Sequence, residues 1–441
     1  MVQRIRSHWL LSSIIILSVI LRLGAVLYLG NTVEELPGTY DQISYHNLAL
    51  RVSDGYGFNF GEGWWPMTDA GEATAHWSYL YTLYLSALYT LLGPIPIVAR
   101  LIQAVIVGIL QPLLAYLIGR QVFDENAGTA AAGLTAIYAY FIYYSATLMT
   151  EPFYITAILA SLYLAILLAK SYPRNYRKNA IALGFVIGIA VLLRQLYLLF
   201  VPLLLAWVIW SLWKRSGRIP VKSILITSAV IVLMIIPVTV FNYLQFNTFL
   251  LLNTNAGYAF FWANHPIYGT HFLPLLSPEM GSYPDLVPPE LRHLNEVDLD
   301  RALLKEGLKI VIEDPVRYLR LSLSRIPVYF MFWPSANSGL VSNISRVTSF
   351  GLMWPVMLVG VIYAIFQQKV KFSQRIHHPA TLLLLFIFIY SAIHILSWSL
   401  VRYRLPVDAV LLVFAGLALA RGVERLRPTR RQPALSRPSE S

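Results

Sequence analysis

Apolar stretches separated by short polar connections run through most of this chain of 441 residues. A helix that spans a bilayer needs about 20 mostly apolar residues. The pattern therefore predicts an all-α polytopic membrane protein, a bundle of about ten spanning helices. The predicted spans lie at 9–29, 97–119, 127–147, 152–169, 180–196, 197–213, 223–243, 347–366, 379–398 and 406–420.

Three further helices are predicted outside these spans. The apolar run 77–92 is too short for a comfortable span and ends at Gly93 and Pro94, which favours a juxtamembrane helix. Residues 298–313 have an amphipathic pattern. The segment 316–333 is apolar but carries arginines, which favours a helix along the membrane surface on the outer face. A re-entrant hairpin is the alternative for this last segment.

The composition agrees with a membrane protein and removes several kinds of chemistry. Hydrophobic residues make up 57% of the chain and charged residues 13%, against about 25% charged in soluble domains. The numerous Trp and Tyr side chains suit positions at the level of the lipid headgroups. The chain has no Cys, which excludes a disulfide framework, a thiolate nucleophile and a Cys-ligated metal.

The distribution of Lys and Arg predicts the orientation. Cytoplasmic loops of membrane proteins are enriched in both residues. Counting 77–92 as juxtamembrane puts both termini on the cytoplasmic side of a multi-pass cell membrane protein, and the net charge of +12 then reflects topology and not nucleic-acid binding. The segments 1–8, 120–126, 170–179, 214–222, 367–378 and 421–441 share one side and hold 20 of the 34 Lys and Arg residues, but 4 of the 22 Asp and Glu residues.

The same pattern divides the chain into regions. Residues 1–243 form a transmembrane catalytic module whose first outer loop is 30–96. Residues 244–346 form a second, larger outer-face segment, and 347–420 form the C-terminal transmembrane helices. The tail 421–441 is basic and then rich in Pro and Ser, which is typical of a disordered segment held near anionic lipid.

Two acidic residues near predicted outer helix ends are candidates for chemistry. Asp41 follows the first span by about a dozen residues, and a partly desolvated carboxylate there could take a proton from a hydroxyl. The alternative is that Asp41 caps the helix that follows it. Glu151 lies directly before Pro152 and could bind acceptor hydroxyls, a metal ion or a cation, or only favour the helix dipole.

Four arginines, Arg100, Arg194, Arg402 and Arg404, fall near outer helix ends although they are far apart in sequence. A guanidinium offers a planar set of donors that suits phosphate, and it is costly inside a membrane without a counter-charge. Snorkelling to headgroups explains any one of them, but four on one face less well. Arg22, inside the first span, could pair with an acid of the first loop or snorkel outward. The histidines show no metal-ligand spacing, so no metal site is predicted.

With these residues placed, the sequence resembles the GT-C membrane glycosyltransferases, in the group of dolichyl-phosphate-mannose protein mannosyltransferases and aminoarabinose transferases. The resemblance covers most of the chain. The matching features, in order, are Asp41 after the first helix, the glycine-containing loop 55–63, the juxtamembrane helix before Gly93, Arg100 at the head of a helix, Glu151 with Pro152, and the element Arg402-Tyr403-Arg404-Leu405-Pro406.

The chain departs from the family pattern at two places. It has His76-Trp77-Ser78-Tyr79 where the family prefers Pro-Pro-Leu-Tyr, and Asn255-Ala256-Gly257 with Ala263-Asn264-His265-Pro266 where Asn-Gly and Gly-Asn-Asn-Pro elements are common. Neither departure involves the acids or the arginines. Both bear on the identity of the acceptor.

The resemblance implies a polyprenyl-phosphate sugar as donor and a hydroxyl of a protein, glycan or lipid as acceptor. Asp41 would be the general base of an inverting transfer, Glu151 would position the acceptor or support Asp41, and Arg100 with Arg402 or Arg404 would hold the departing phosphate. Tyr403, Arg194 and His76 would contribute to substrate binding. No organic cofactor is implied, and a divalent metal is left open.

The competing class is a polytopic transporter or lipid flippase. Transporters place ionisable groups or broken helices near the midplane, in repeated halves. The sequence shows no internal repeat and few midplane charges beyond Arg22 and His394. A glycosyltransferase is therefore the favoured interpretation.

Overall fold

The computed structural model describes residues 2–36, 39–217, 219–335, 338–366 and 376–426. Most of the predicted basic tail and of the loop 367–378 lies outside these residues. Within the described part no β-strand forms, and α-helices joined by irregular loops make up the fold. The helices are α1 (Val2–Leu29), α2 (Asp41–Ser53), α3 (Tyr79–Leu92), α4 (Pro96–Val122), α5 (Glu125–Ile137), α6 (Ala139–Ser145), α7 (Glu151–Ser171), α8 (Tyr176–Leu193), α9 (Val201–Ser216), α10 (Val221–Phe246), α11 (Ala256–Asn264), α12 (Glu296–Glu313), α13 (Pro315–Tyr329), α14 (Leu340–Arg346), α15 (Leu352–Phe366), α16 (Pro379–Leu396) and α17 (Leu405–Leu426).

The prediction of an all-α membrane protein is confirmed. Eight helical stretches among the described residues are long and apolar enough to cross a bilayer. The other two predicted spans are shorter or broken. The span predicted at 127–147 is split at Tyr138 into α5 and α6, and the one predicted at 197–213 becomes the 16-residue α9 after a 3-10 turn. About ten crossings remain consistent with this arrangement.

The break between α5 and α6 explains the buried Arg22. Tyr138 has an extended ψ of 111°, so the last carbonyls of α5 lose their helical partners. Arg22 donates to two of them, Thr135 O at 3.3 Å and Ala136 O at 3.2 Å, and also to the side chain of Ser18 at 2.6 Å. A cation at the C-terminus of a helix is favoured by the helix dipole. Both predicted roles of Arg22, pairing with a first-loop acid and snorkelling, are therefore wrong.

Described residues near several of the connections predicted on the cytoplasmic side contact each other at one end of the bundle. Arg421 at the end of α17 pairs with Asp124 at 2.6 Å, just before α5. Trp207 on α9 donates to the carbonyl of Ile376 at 3.1 Å. Helix ends that the sequence assigns to one face are thus neighbours, while Asp41, Glu151 and Arg402 meet at the opposite end. This clustering is what a bundle of alternating crossings requires.

The outer segment is built on α11, α12 and α13, whose small cores are separate from that of the bundle. Asp300 accepts hydrogen bonds from the backbone of Gly257 and Tyr258 at the start of α11, at 2.8 and 3.1 Å. Arg325 contacts the other end of α11 through the carbonyl of Ala263 and the side chain of Asn264. Arg325 belongs to the segment predicted to lie along the membrane surface, yet it is fully buried.

Close helix packing at Gly360 generates a testable prediction. A Cβ at Gly360, on α15, would lie 1.9 Å from the carbonyl oxygen of Phe414 on α17. Gly360→Ala must therefore push the two helices apart, and we expect a loss of about 1–3 kcal/mol in the free energy of unfolding. The measurement is thermal unfolding of the purified protein in detergent.

Gly24→Ala is the matched control for this prediction. Gly24 lies on α1, and a Cβ there would meet no heavy atom within 4 Å. The melting temperature of the Gly24→Ala variant should equal that of the wild type or exceed it slightly, because alanine has a higher helix propensity than glycine. Equal stability of the two variants would contradict the close packing of α15 on α17.

Candidate functional site

Asp41 lies at the first position of α2, but its carboxylate does not cap the helix. The residue before it, Tyr40, forms no side-chain cap bond either. Oδ1 of Asp41 accepts a hydrogen bond from the Thr39 hydroxyl at 2.5 Å, and Oδ2 accepts one from Arg402 Nη1 at 2.5 Å. The alternative in which Asp41 serves as an N-cap is therefore wrong. The carboxylate is directed at the C-terminal part of the chain.

Glu151 continues this arrangement from the start of α7. Its Oε1 accepts from Arg194 Nη2 at 2.5 Å and lies 3.7 Å from Arg402 Nη1. The side chain of Glu151 is 2% exposed, and its Oε2 has no hydrogen-bond partner among the described residues. Asp41, Arg402, Glu151 and Arg194 thus form a row of alternating charges, hereafter the charge row.

An aromatic residue supports both guanidiniums of the charge row. The ring of Tyr403 lies 5.5 Å from Arg194 Cζ and 5.2 Å from Arg402 Cζ, within the range of cation–π contacts. Tyr403 itself stacks on His394, with ring centroids 4.9 Å apart. Arg194 also donates through Nε to Thr150 at 2.9 Å. The two arginines are therefore held in fixed orientations, although they come from distant parts of the chain.

The charge row is partly exposed at both of its ends, and only Glu151 within it is buried. The side chain of Asp41 is 21% exposed and that of Arg402 12% exposed, so a ligand can reach them. Burial raises the pKa of Asp41, but the Arg402 guanidinium and the Thr39 hydroxyl lower it by more, and the net shift is downward. Asp41 is thus ionised at neutral pH and is a weak base for as long as Arg402 stays bonded to it.

Arg100 lies near the charge row, in the first turn of α4. Its guanidinium donates to the carbonyl of Gly30 at 2.7 Å and to Gln42 Oε1 at 3.2 Å, and Gln42 directly follows Asp41. Arg100 is fully buried. No carboxylate among the described residues pairs with it. A buried guanidinium without a counter-ion is costly, which indicates a place for an anionic ligand.

Arg404 is not brought to the charge row. It is fully buried and pairs with Asp408, one turn along α17, at 2.9 Å. Arg404 also donates to the carbonyl of Tyr329 at 2.7 Å, and Asp408 accepts from Tyr138 at 2.7 Å. This closed network joins α17 to the break between α5 and α6 and to the end of α13. Arg404 therefore has a structural role in this arrangement.

His76 is placed on the outer side, in the chain that leads into α3. Its Nδ1 donates to the carbonyl of Thr254 at 2.7 Å. The ring has edge-to-face contacts with Trp77 at 5.3 Å and Tyr258 at 5.7 Å. His76 is partly exposed. It belongs neither to the charge row nor to the surroundings of Arg100.

Two residues of this region escaped the sequence analysis. Thr39 orients Asp41 and also accepts a hydrogen bond from the Asp41 backbone at 3.2 Å, a relation that only the folded turn reveals. Asp408 could have been identified from the sequence, because an acidic residue four positions after an arginine in an apolar helix suggests a buried ion pair. Within the part of the chain that the structure describes, no three His, Asp or Glu side chains are grouped to hold a metal ion.

Comparisons with known proteins agree with this architecture. A family model described as dolichyl-phosphate-mannose-protein mannosyltransferase matches residues 80–241. The chain is 17% identical to the apo oligosaccharyltransferase of Archaeoglobus fulgidus, with a TM-score of 0.59 over 95% of this chain and 51% of that one. It is also 17% identical to the archaeal oligosaccharyltransferase AglB from A. fulgidus, in complex with an inhibitory peptide and a dolichol-phosphate, with a TM-score of 0.56 over 97% and 53%. No curated protein sequence matches the chain.

A third similar structure is ArnT from Cupriavidus metallidurans bound to undecaprenyl phosphate, which is 15% identical, with a TM-score of 0.40 over 95% of this chain and 79% of that one. The chain spans about half the length of the A. fulgidus oligosaccharyltransferases. The likeness to them shows the fold. The chain therefore has the GT-C fold, as the sequence resemblance implied.

Proposed function

We propose that the protein is a membrane glycosyltransferase that moves a sugar from a polyprenyl-phosphate donor to a hydroxyl acceptor. The observation that carries the proposal is the bond between Arg402 and Asp41, both partly exposed, in the charge row. It places a carboxylate that can accept a proton beside a guanidinium that can bind phosphate, at one end of a membrane bundle. The match to the mannosyltransferase family model over 80–241 supports the same class of reaction.

In the proposed reaction Asp41 acts as general base. The acceptor oxygen forms a bond to the anomeric carbon, the bond from that carbon to the phosphate oxygen breaks, and the hydroxyl proton passes to Asp41. The electron pair of the broken bond leaves on the lipid phosphate. Since attack and departure occur on opposite faces of the sugar, the configuration inverts. A phosphate leaves as a stabilised anion, so the reaction needs no second carboxylic acid to protonate it.

Arg402 links the two charge changes of this step. The bound donor carries one negative charge on its phosphodiester, and the departing phosphate monoester gains a second. Asp41 loses its charge when it accepts the proton, so its hold on Arg402 weakens at the moment when the phosphate attracts Arg402 more strongly. The guanidinium therefore exchanges a carboxylate for a phosphate without a net change of charge, which favours the transition state over the ground state.

The neighbouring groups have supporting roles in this proposal. Arg100 attracts the lipid phosphate from its buried position beside Gln42, where no described carboxylate pairs with it. Glu151 and Arg194 hold Arg402 on the side away from Asp41. The positive charge that other enzymes obtain from a divalent metal is supplied here by guanidiniums, so we expect transfer to continue in the presence of EDTA.

The site lies on the non-cytoplasmic face in this proposal, with both termini in the cytoplasm. The basic connections support it, because described residues near several of them contact each other at the end of the bundle opposite the charge row. The donor would then bind with its isoprenoid tail among the membrane helices and its phosphate at the outer interface. The acceptor would enter between the two outer segments.

The direct test of the proposed function is sugar transfer by the purified protein from a panel of polyprenyl-phosphate sugars. Asp41→Asn should lower kcat by roughly 10²–10⁴-fold, the usual contribution of a general base. Asp54→Asn is the matched control, because Asp54 is an exposed carboxylate at the end of the same helix. Normal turnover by a well-folded Asp41→Asn protein would refute the mechanism.

If Arg402 exchanges Asp41 for phosphate, substitutions of Arg402 and of Asp41 should have opposite effects on the binding of polyprenyl phosphate. Arg402→Gln should weaken the binding of polyprenyl phosphate, whereas Asp41→Asn should strengthen it, because the competing carboxylate charge is gone. The measurement is a titration of each variant with polyprenyl phosphate at constant ionic strength. Weaker binding by Asp41→Asn than by the wild type would contradict the exchange.

Single cysteines test the proposed orientation, since the chain has none of its own. Tyr56→Cys, in the first outer loop, should react with a membrane-impermeant maleimide in intact cells. Asn126→Cys, beside the α4–α5 connection, should react only after the membrane is permeabilised. Both positions are exposed in the structure. The reverse labelling pattern would place the charge row on the cytoplasmic face.

A further inference from the structure

The backbone around His76 is fixed by an unusual number of polar contacts. Glu296, at the start of α12, accepts hydrogen bonds from the backbone of Ala75 at 2.8 Å, from Thr68 at 2.9 Å and from Thr254. Asn253 donates to the carbonyls on either side of His76, those of Ala75 and Trp77, at 2.9 Å each. The second outer segment thus holds the first one rigidly at this point.

These contacts also determine the protonation of the His76 ring. A carbonyl can only accept, so the bond to Thr254 places the proton on Nδ1 and leaves Nε2 with a free lone pair. Burial lowers the pKa of His76, and the Glu296 carboxylate, the Thr254 carbonyl and the Asp41 carboxylate oppose this effect only in part. The ring is therefore neutral at neutral pH. No described residue forms a hydrogen bond with Nε2 of His76, and His76 is partly exposed.

His76 is linked to Asp41, the proposed base, through the packing of Tyr45 on Trp77. Tyr45 lies one helical turn after Asp41 on α2, and its ring packs edge to face on Trp77 at 5.3 Å. The Tyr45 hydroxyl accepts from the backbone of Ser78 at 3.3 Å. His76, next to Trp77, consequently keeps a fixed position relative to Asp41. The charge of the Asp41 carboxylate also acts on the His76 ring, so the two side chains are near each other.

The surroundings of His76 are aromatic, with unused hydrogen-bonding groups. The Tyr258 ring contacts His76 on one side and Trp262 on the other, at 5.3 Å, and Trp262 packs on Trp65 at 4.9 Å. Tyr258 and Trp262 are at most 2% exposed, yet Tyr258 Oη and Trp262 Nε1 have no hydrogen-bond partner among the described residues. Rings with unused polar groups beside a partly open edge suit a ligand with apolar faces and several hydroxyls.

We propose that His76 is a specificity-determining residue whose Nε2 accepts a hydrogen bond from a second hydroxyl of a carbohydrate acceptor, while the first hydroxyl reacts at Asp41. This inference rests on the proposed function and adds the class of acceptor to it. His76 acts on acceptor binding, whereas the donor phosphate is held by Arg402 and Arg100.

The test compares two substitutions that each keep one nitrogen position of the ring. His76→Asn can still donate to Thr254 but lacks a group at Nε2, so the KM for the acceptor should rise roughly tenfold, the value of one hydrogen bond, with the donor KM and the melting temperature unchanged. His76→Gln reaches the Nε2 position with its amide oxygen and should recover part of the loss. His271→Asn, an exposed histidine of the second outer segment, is the matched control and should behave as the wild type.

A panel of deoxy-glycoside acceptors makes the test specific. Removing the hydroxyl that contacts His76 should lower kcat/KM of the wild type but have no further effect on His76→Asn, because both changes delete the same bond. Additive losses for every deoxy acceptor, or an unchanged acceptor KM in His76→Asn, would overturn the inference. Preference for a serine or threonine peptide over all glycosides would overturn the acceptor class. In these outcomes Asp41-dependent transfer persists, whereas loss of the proposed function itself would appear as no transfer to any acceptor.

Discussion

The ion pair between Arg402 and Asp41 joins residues that are 361 positions apart, and the rest of the site is arranged around it. Arg402 precedes the last described helix, while Asp41 begins the first helix of the outer loops. Removing one partner leaves the other charge without its counter-charge at a position that is only partly exposed, 21% for Asp41 and 12% for Arg402. This dependence joins the first outer loop to the turn before α17. It also means that an anionic ligand can separate the pair only if something else neutralises Asp41, and in the proposed reaction a proton from the acceptor does so.

A second ion pair lies close by and shows why the first one is suited to exchange. Arg404 and Asp408 have fully buried side chains, and both are bonded to further groups of the bundle. A ligand cannot approach this pair without breaking the contacts between α17 and α13. Arg402 keeps a small exposed area and has Glu151 within 3.7 Å as an alternative partner. Two neighbouring arginines with the same chemistry therefore differ in their exposure and in their partners.

The sequence predicts the membrane helices well because a spanning segment must be apolar along its whole length. It does not distinguish Arg402 from Arg404. Residues 401–404 form a 3-10 turn, in which successive side chains are about 120° apart, so alternate residues point to different sides. The partners of Arg22 were equally unreadable, since they include backbone carbonyls released where α5 ends. The pattern of side chains identifies which charged residues are candidates. Where the backbone turns and where a helix ends determine which of these residues come into contact.

The site is divided between two parts of the fold. In the proposed reaction, the charges that would handle phosphate come mainly from the ends of membrane helices, whereas the groups that would face the acceptor come from the two outer segments. Glu296 belongs to the second part, and its carboxylate is buried, at 5% exposure, in order to hold the chain beside His76. Burying a carboxylate is costly unless donors surround it, and three do so here. The contacts of Glu296 share no residue with the ion pair of Arg402 and Asp41. The residues on the proposed acceptor side can therefore change in sequence while the residues proposed to handle the departing phosphate are preserved.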